Sequence, residues 1–193
     1  MHKGRLEAFS DGVLAIIITI MVLELKAPHS AELSALVEHS HVFVSYVLSF
    51  VYVGIYWNNH HHMFQLVKTI DGSVLWANLH LLFWLSLFPF ANAWMGETHF
   101  AQWPVVAYGV VLLMAAIAYT ILVWRLVRIN GKKSPLALAV GKDVKGNISI
   151  VVYLVALPLA FVHPYLGLAG YLVIALIWLV PDKRMENTLG GKN

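Results

Sequence analysis

The sequence predicts an all-α polytopic membrane protein with six transmembrane helices. Three observations carry that prediction. Hydrophobic residues make up 60% of the 193-residue chain and charged residues only 12%, against about 45–50% and about 25% in soluble domains. Six stretches approach the roughly 20 apolar residues that a helix needs to cross about 30 Å of hydrocarbon. If all six cross, every Lys and Arg except Lys26 falls on one side of the membrane. A mean hydropathy of +0.73 leaves a soluble chain no way to hide its apolar surface. That excludes a soluble enzyme, a nucleic-acid-binding domain and a disordered regulator. Without cysteine there is no disulfide, thiolate metal site or cysteine nucleophile.

The spans follow in order. Span one, 6–25, holds the unbroken run GVLAIIITIMVL and closes at Pro28. Span two, 36–62, ends in His60–His62. Span three is 74–95, with Asp71 and Ser73 placed to cap its start. Span four is 105–124, with Pro104 just inside its beginning. Spans five, 148–162, and six, 165–180, are short enough to cross with little tilt. Asn147 is placed to cap the fifth, Pro164 separates the two and Pro181 ends the last. Loops are mostly short and no repeat is visible, so residues 1–193 read as one six-helix unit.

Orientation follows from the basic residues. Six spans put both termini on the side that holds Lys3, Arg5, Lys68, Arg125, Arg128, Lys132, Lys133, Lys142, Lys145, Lys183, Arg184 and Lys192. The positive-inside rule makes that side cytoplasmic, in the cell's inner (plasma) membrane. Glu7 and Asp11 interrupt the N-terminal segment and no A-x-A site follows its apolar run. It therefore reads as a retained helix rather than a cleaved signal.

Span one is unusual in its polar residues: Arg5, Glu7, Ser10, Asp11, Thr19 and Glu24 lie on or near it. A mid-membrane charge costs about 2.5–3.5 kcal/mol on insertion scales. At about 100° per residue, Thr19, Ile20 and Leu23 fall within about 60° of Ile16, while Ser10 and Asp11 lie about 120–140° away. The helix thus carries an apolar stripe with one hydroxyl and a separate polar corner. By periodicity alone such a stripe more often packs on neighbouring spans. The corner needs partners in low dielectric, and Asn58, His60, His61, Asn78 and His80 lie at its level. A hydrogen-bonded clamp is the plainer account of it than a transport site. Successive helical positions diverge by about 100°, so His60–His62 cannot converge on one ion. No G-x-S-x-G, Walker-type loop or H-E-x-x-H occurs, so neither an enzyme nor a cofactor is expected. Asn147-Ile148-Ser149 is a glycosylation sequon on the wrong side.

Several motifs are more specific. Arg5-Leu6-Glu7-Ala8-Phe9-Ser10-Asp11 fits R-x-x-x-F-S-D, and Trp57-x-x-His60-x-x-x-Phe64, Asn78 and Leu87-Phe88-Pro89-Phe90 follow. Together they resemble the bacterial branch of the endosomal and lysosomal potassium channel family, transmembrane protein 175, over the first three spans. The resemblance implies six-helix subunits assembled as homotetramers, with the first helix lining a central pore for potassium. The constriction residue, five places after the motif aspartate, is then Ile16, and Thr19, Ile20 and Leu23 continue the wall. Glu24 would lie at the outer mouth. Arg5, Phe9, Ser10, Asp11, Trp57, His60 and Asn78 would form the inter-helix network that positions the pore helix. There is no T-V-G-Y-G filter. A ring of isoleucines gates by dewetting and favours potassium only modestly over sodium. The rival reading is a proton- or cation-coupled secondary transporter using Asp11 and His60 as a relay; a membrane-embedded hydrolase lacks a converging set of groups.

Overall fold

Helix α1 (Lys3–Leu23) begins three residues ahead of the predicted span and ends two residues before it. The structure, a computed structural model, describes residues 3–180 except His29 and Lys142. Pro181 and the basic residues Lys142, Lys183, Arg184 and Lys192 of the orientation argument lie outside the described residues. After α1 comes a short helix, α2 (Leu33–Glu38), and then α3 (Ser40–Gln65). The expected start of span two at 36 therefore belongs to a separate element. His39 alone divides the two, at φ −90 and ψ 5.

The third span is divided as well. Helix α4 (Gly72–Ser86) is followed by α5 (Phe88–Glu97), with the break at Leu87. Pro89 has no N–H to offer the Leu85 carbonyl, so the helical ladder cannot run through this point. Asp71 caps α4, its carboxylate accepting from the Ser73 and Val74 amides at 2.9 and 3.0 Å. The Ser73 hydroxyl donates to the same oxygen at 2.8 Å. That bond first, and the Val74 amide next, hold the Asp71 carboxyl below its ordinary range.

Helix α6 (Gln102–Asn130) has 29 residues and outruns the predicted span at both ends. Hydropathy stops at Trp124, but nothing in Arg125–Asn130 breaks a helix. It ends at Gly131, whose φ of 92 suits a residue without a Cβ. Asn130 then ties down the α3–α4 turn. Its Oδ1 accepts from the Lys68 and Thr69 amides, both at 3.1 Å. Its amide nitrogen donates to the Thr69 carbonyl at 3.0 Å. Helix α7 (Pro135–Val140), capped by Ser134, buries Leu136 and Ala139. Helix α8 (Val144–Val162) starts four residues before the expected fifth span, because Asp143 rather than Asn147 is its N-cap and accepts from the Gly146 amide at 3.1 Å. Pro164 opens α9 (Pro164–Leu179).

Taking Gly72–Glu97 as one crossing, five elements are long and apolar enough to span a membrane; the sixth is the shorter, 16-residue α9. Helix α6 is the hub, packed on α4, α5, α8 and α9. The α8–α9 hairpin closes through small residues. A Cβ on Gly167 would stand 2.7 Å from the Ala160 Cβ, and one on Gly170 at 2.7 Å from that of Ala156. Several polar groups inside the bundle find partners, although the buried Asn92 Nδ2 and His62 Nδ1 have none among the described residues. Tyr153 donates to the Tyr52 hydroxyl at 3.1 Å, and Tyr52 to the Tyr171 carbonyl at 2.5 Å. Ser49 donates to the Asn92 side-chain oxygen at 3.0 Å. Helix α1 stands outside this hub and packs on α3, α4 and α5.

Candidate pore helix and its polar anchor

The buried residues of α1 are Leu6, Ser10, Leu14, Ile17 and Met21, spaced by three or four so that they form one face. They seat the helix on α3, α4 and α5. The other side is bare. Ile16 is 59% exposed, Ile20 42% and Leu23 74%, and Thr19 is exposed with them. The mean direction of these four side chains lies about 130° around the helix from the buried face. Thr19 spends its proton on the Ala15 carbonyl at 2.8 Å, leaving its oxygen lone pairs outward. Val22, 44% exposed, points about 120° away from Ile16.

The anchor is a hydrogen-bonded chain through three helices. Ser10 on α1 donates to the Leu6 carbonyl at 2.9 Å and accepts from the Asn78 amide of α4 at 2.9 Å. The Asn78 oxygen, which can only accept, meets His60 Nε2 of α3 at 2.9 Å. That fixes the His60 proton on Nε2. All three side chains are buried, at 0, 2 and 3% exposure, so each bond is made where an unpaired group would be costly.

The remaining network candidates lie elsewhere. Asp11 takes its partner on the exposed side, where Trp57 Nε1 donates to it at 3.1 Å. The Trp57 ring stacks on His61 at 5.8 Å. His61 in turn pairs with Gln65, and His80 accepts from Trp84 Nε1 at 3.0 Å. Arg5 is exposed and makes no hydrogen bond or ion pair among the described residues, while Phe9 is 54% exposed. On the helical wheel both fall within about 20° of Ile16, in line with the bare stripe. One further tie escaped the sequence reading: Lys3 Nζ donates to the Phe64 carbonyl at 2.8 Å. A lysine at the start of α1 opposite the C-terminus of α3 was the available signal. At the far end of α1, Ile20 and Glu24 share a groove with Trp94 and Glu97, and Lys26 lies 3.8 Å from Glu97.

These features define a class: a multi-pass helical membrane protein whose first helix is clamped along one face and bare along the other. The profile of the family described as "Endosomal/lysosomal potassium channel TMEM175" matches residues 5–89, the stretch that contains the anchor and the stripe. A Chryseobacterium protein named a potassium channel is 57% identical over 189 residues, covering 98% of each chain. One from Streptomyces collinus, also named a potassium channel, is 31% identical over 191 residues, covering 92% of this chain and 91% of its own. A chicken protein named an endosomal/lysosomal proton channel matches only 35% of this chain and 16% of itself, at 37% identity. The crystal structure of a lysosomal potassium-selective channel TMEM175 homolog from Chamaesiphon minutus superposes with a TM-score of 0.81. It shares 29% identity and covers 93% of this chain and 97% of that one. The chain belongs to the TMEM175 family, a family of ion channels and not of enzymes.

Proposed function

We propose that this chain is the subunit of a homotetrameric channel that conducts potassium, modestly preferred over sodium, through a pore lined by α1. One observation carries the reading. Ile16, Thr19, Ile20 and Leu23 stand bare on the side of α1 facing away from its anchored face. Four copies turned toward a common axis would cover these side chains and leave the clamped faces where they are. The ion assigned is that of the two bacterial relatives matched over nearly their whole length, both named potassium channels. The family profile agrees with them.

The mechanism rests on hydration. A narrow ring of Ile16 side chains offers no ligand, so it excludes water and ions until it widens. Potassium surrenders its hydration shell more readily than sodium, and an apolar ring therefore ranks the two without coordinating either. The outward lone pairs of Thr19 supply partial rehydration one turn away. Both termini and the basic ends of the helices lie on the cytoplasmic side, as the positive-inside rule requires. The membrane is the cell's inner membrane, and the 193 residues act as one transmembrane unit.

Purified protein in planar bilayers under opposed potassium and sodium gradients tests this. Ile16→Asn hydrates the constriction, so conductance rises and the reversal potential moves toward zero preference. Ile20→Asn and Leu23→Asn, at wider levels, change both less. Val22→Asn, directed away from the axis, leaves permeation near wild type. Equal effects at Ile16 and Val22, or none at Ile16 in a conducting protein, would remove α1 from the pore. A saturable flux without current would replace the channel with the carrier that uses Asp11 and His60.

A further inference from the structure

We propose that the Trp124–Arg125–Arg128 corner of α6 seats the headgroup of an anionic phospholipid. The depth of this corner can be read from α6 itself. Trp103 and Trp124 are 65% and 53% exposed and 21 positions apart, about 32 Å along a helix. That matches the hydrocarbon thickness, and indoles favour its two boundaries. Arg125 and Arg128 follow Trp124 at once, so their guanidiniums reach the headgroup layer on the side the basic residues mark as cytoplasmic.

The corner is preorganised and only partly compensated. Both guanidiniums lie against the Trp124 ring, 4.9 and 5.5 Å from its centre, which fixes two long side chains in one small volume. Neither makes an ion pair among the described residues. The carboxylate that faces Arg125 is Asp71, already engaged as the cap of α4. Two guanidiniums against one carboxylate that stands outside ion-pair distance leave a net positive charge, and two planar donor forks held together suit a phosphate diester.

The apolar half of the site selects a lipid over a free phosphate. Ile117, Ile121 and Trp124 follow one another at helical spacing toward the guanidiniums, with Ile121 37% exposed and Trp124 more so. An acyl chain lying on that strip brings its own phosphate to Arg125 and Arg128. A soluble anion gains nothing from it.

The full chain, purified in detergent, is offered phosphatidylglycerol, phosphatidylcholine or inorganic phosphate, and retained lipid is counted by native mass spectrometry. Wild type should retain phosphatidylglycerol over phosphatidylcholine, and inorganic phosphate should not displace it. R125Q/R128Q should weaken retention by about fivefold per arginine. K132Q/K133Q, which removes the same charge beyond the end of α6, should weaken it less. Should the arginine double variant misassemble, R128Q alone, at an exposed position, should still show about a fivefold loss. Equal losses in the two double variants would mean diffuse attraction and no seat. No preference between the lipids, no loss in R128Q, or displacement by inorganic phosphate would each overturn the proposal.

Discussion

Asn78 uses both ends of its amide, giving a proton to Ser10 and taking one from His60. Asn78→Leu leaves the buried His60 Nε2 without its partner, at about 1–3 kcal/mol, and removes the bond that Ser10 accepts, while Ser10 keeps its own bond to the Leu6 carbonyl. The expected result is a lowered melting midpoint and a shift toward smaller species on size exclusion. Asp11→Ala, which loses a single exposed indole bond, should cost less on both measures, and the reverse ranking would contradict the anchor described here. The polar residues at this level were legible in the sequence because hydrocarbon penalises each of them unless it is paired. Their pairing was not. It depends on the rotation of α1, which sets Ser10 inward with 0% exposure and turns Arg5 and Phe9 toward the bare side. A 100° step locates residues relative to one another on one helix, but it says nothing of where the next helix lies.

At the scale of elements, small residues set how closely α8 and α9 approach. Gly167→Val would push a branched side chain into Ala160, whose Cβ stands 2.7 Å from the position of the added carbon. Overpacking of this kind costs about 1–3 kcal/mol, to be read as a lower melting midpoint. Gly54→Ala is the control, since its added carbon meets nothing within 4 Å; a similar loss there would show that the effect belongs to glycine and not to the seam. Helix identities were largely legible from hydropathy, and their ends were not. The break at Leu87 was present in the sequence as Pro89, yet an apolar run hides a proline that costs one hydrogen bond without adding polarity. Helix α6 outran its prediction for the opposite reason. Arg125, Arg128 and Asn130 are polar but helix-compatible, so hydropathy drops where the backbone continues. Asp143 displaced Asn147 as the cap of α8 because a cap is defined by the backbone leaving the helix, here with φ 42 at Asp143.

For the whole molecule, the long-range field at the proposed outer mouth, where the resemblance would put Glu24, separates charge from shape. Glu24→Gln should lower potassium conductance at about 10 mM salt, where fields reach about 30 Å, and have little effect at about 1 M, where they reach about 3 Å. Single-channel conductance measured across that range checks it. A deficit that persists at high salt would mean that Glu24 shapes the pore instead of concentrating cations before it. Class and crossing pattern were legible from composition, since 60% apolar residues in 193 admit few solutions outside a bilayer. The arrangement of copies was not. Ile16 on the proposed pore side and Val22 away from it are both aliphatic and both exposed in the single chain, at 59% and 44%. Lipid and a neighbouring subunit accept the same side chains.

The clasp formed by Asn130 has a consequence for biosynthesis. The amide of Thr69 waits for a partner 61 positions further along the chain. At about 5–20 residues per second, the turn after α3 leaves the ribosome about 3–12 s before the residue that fastens it. During that interval the first three crossings are inserted with their connecting loop untied. The end of α6 then closes it, so the loop becomes part of the finished protein only after the fourth crossing is complete.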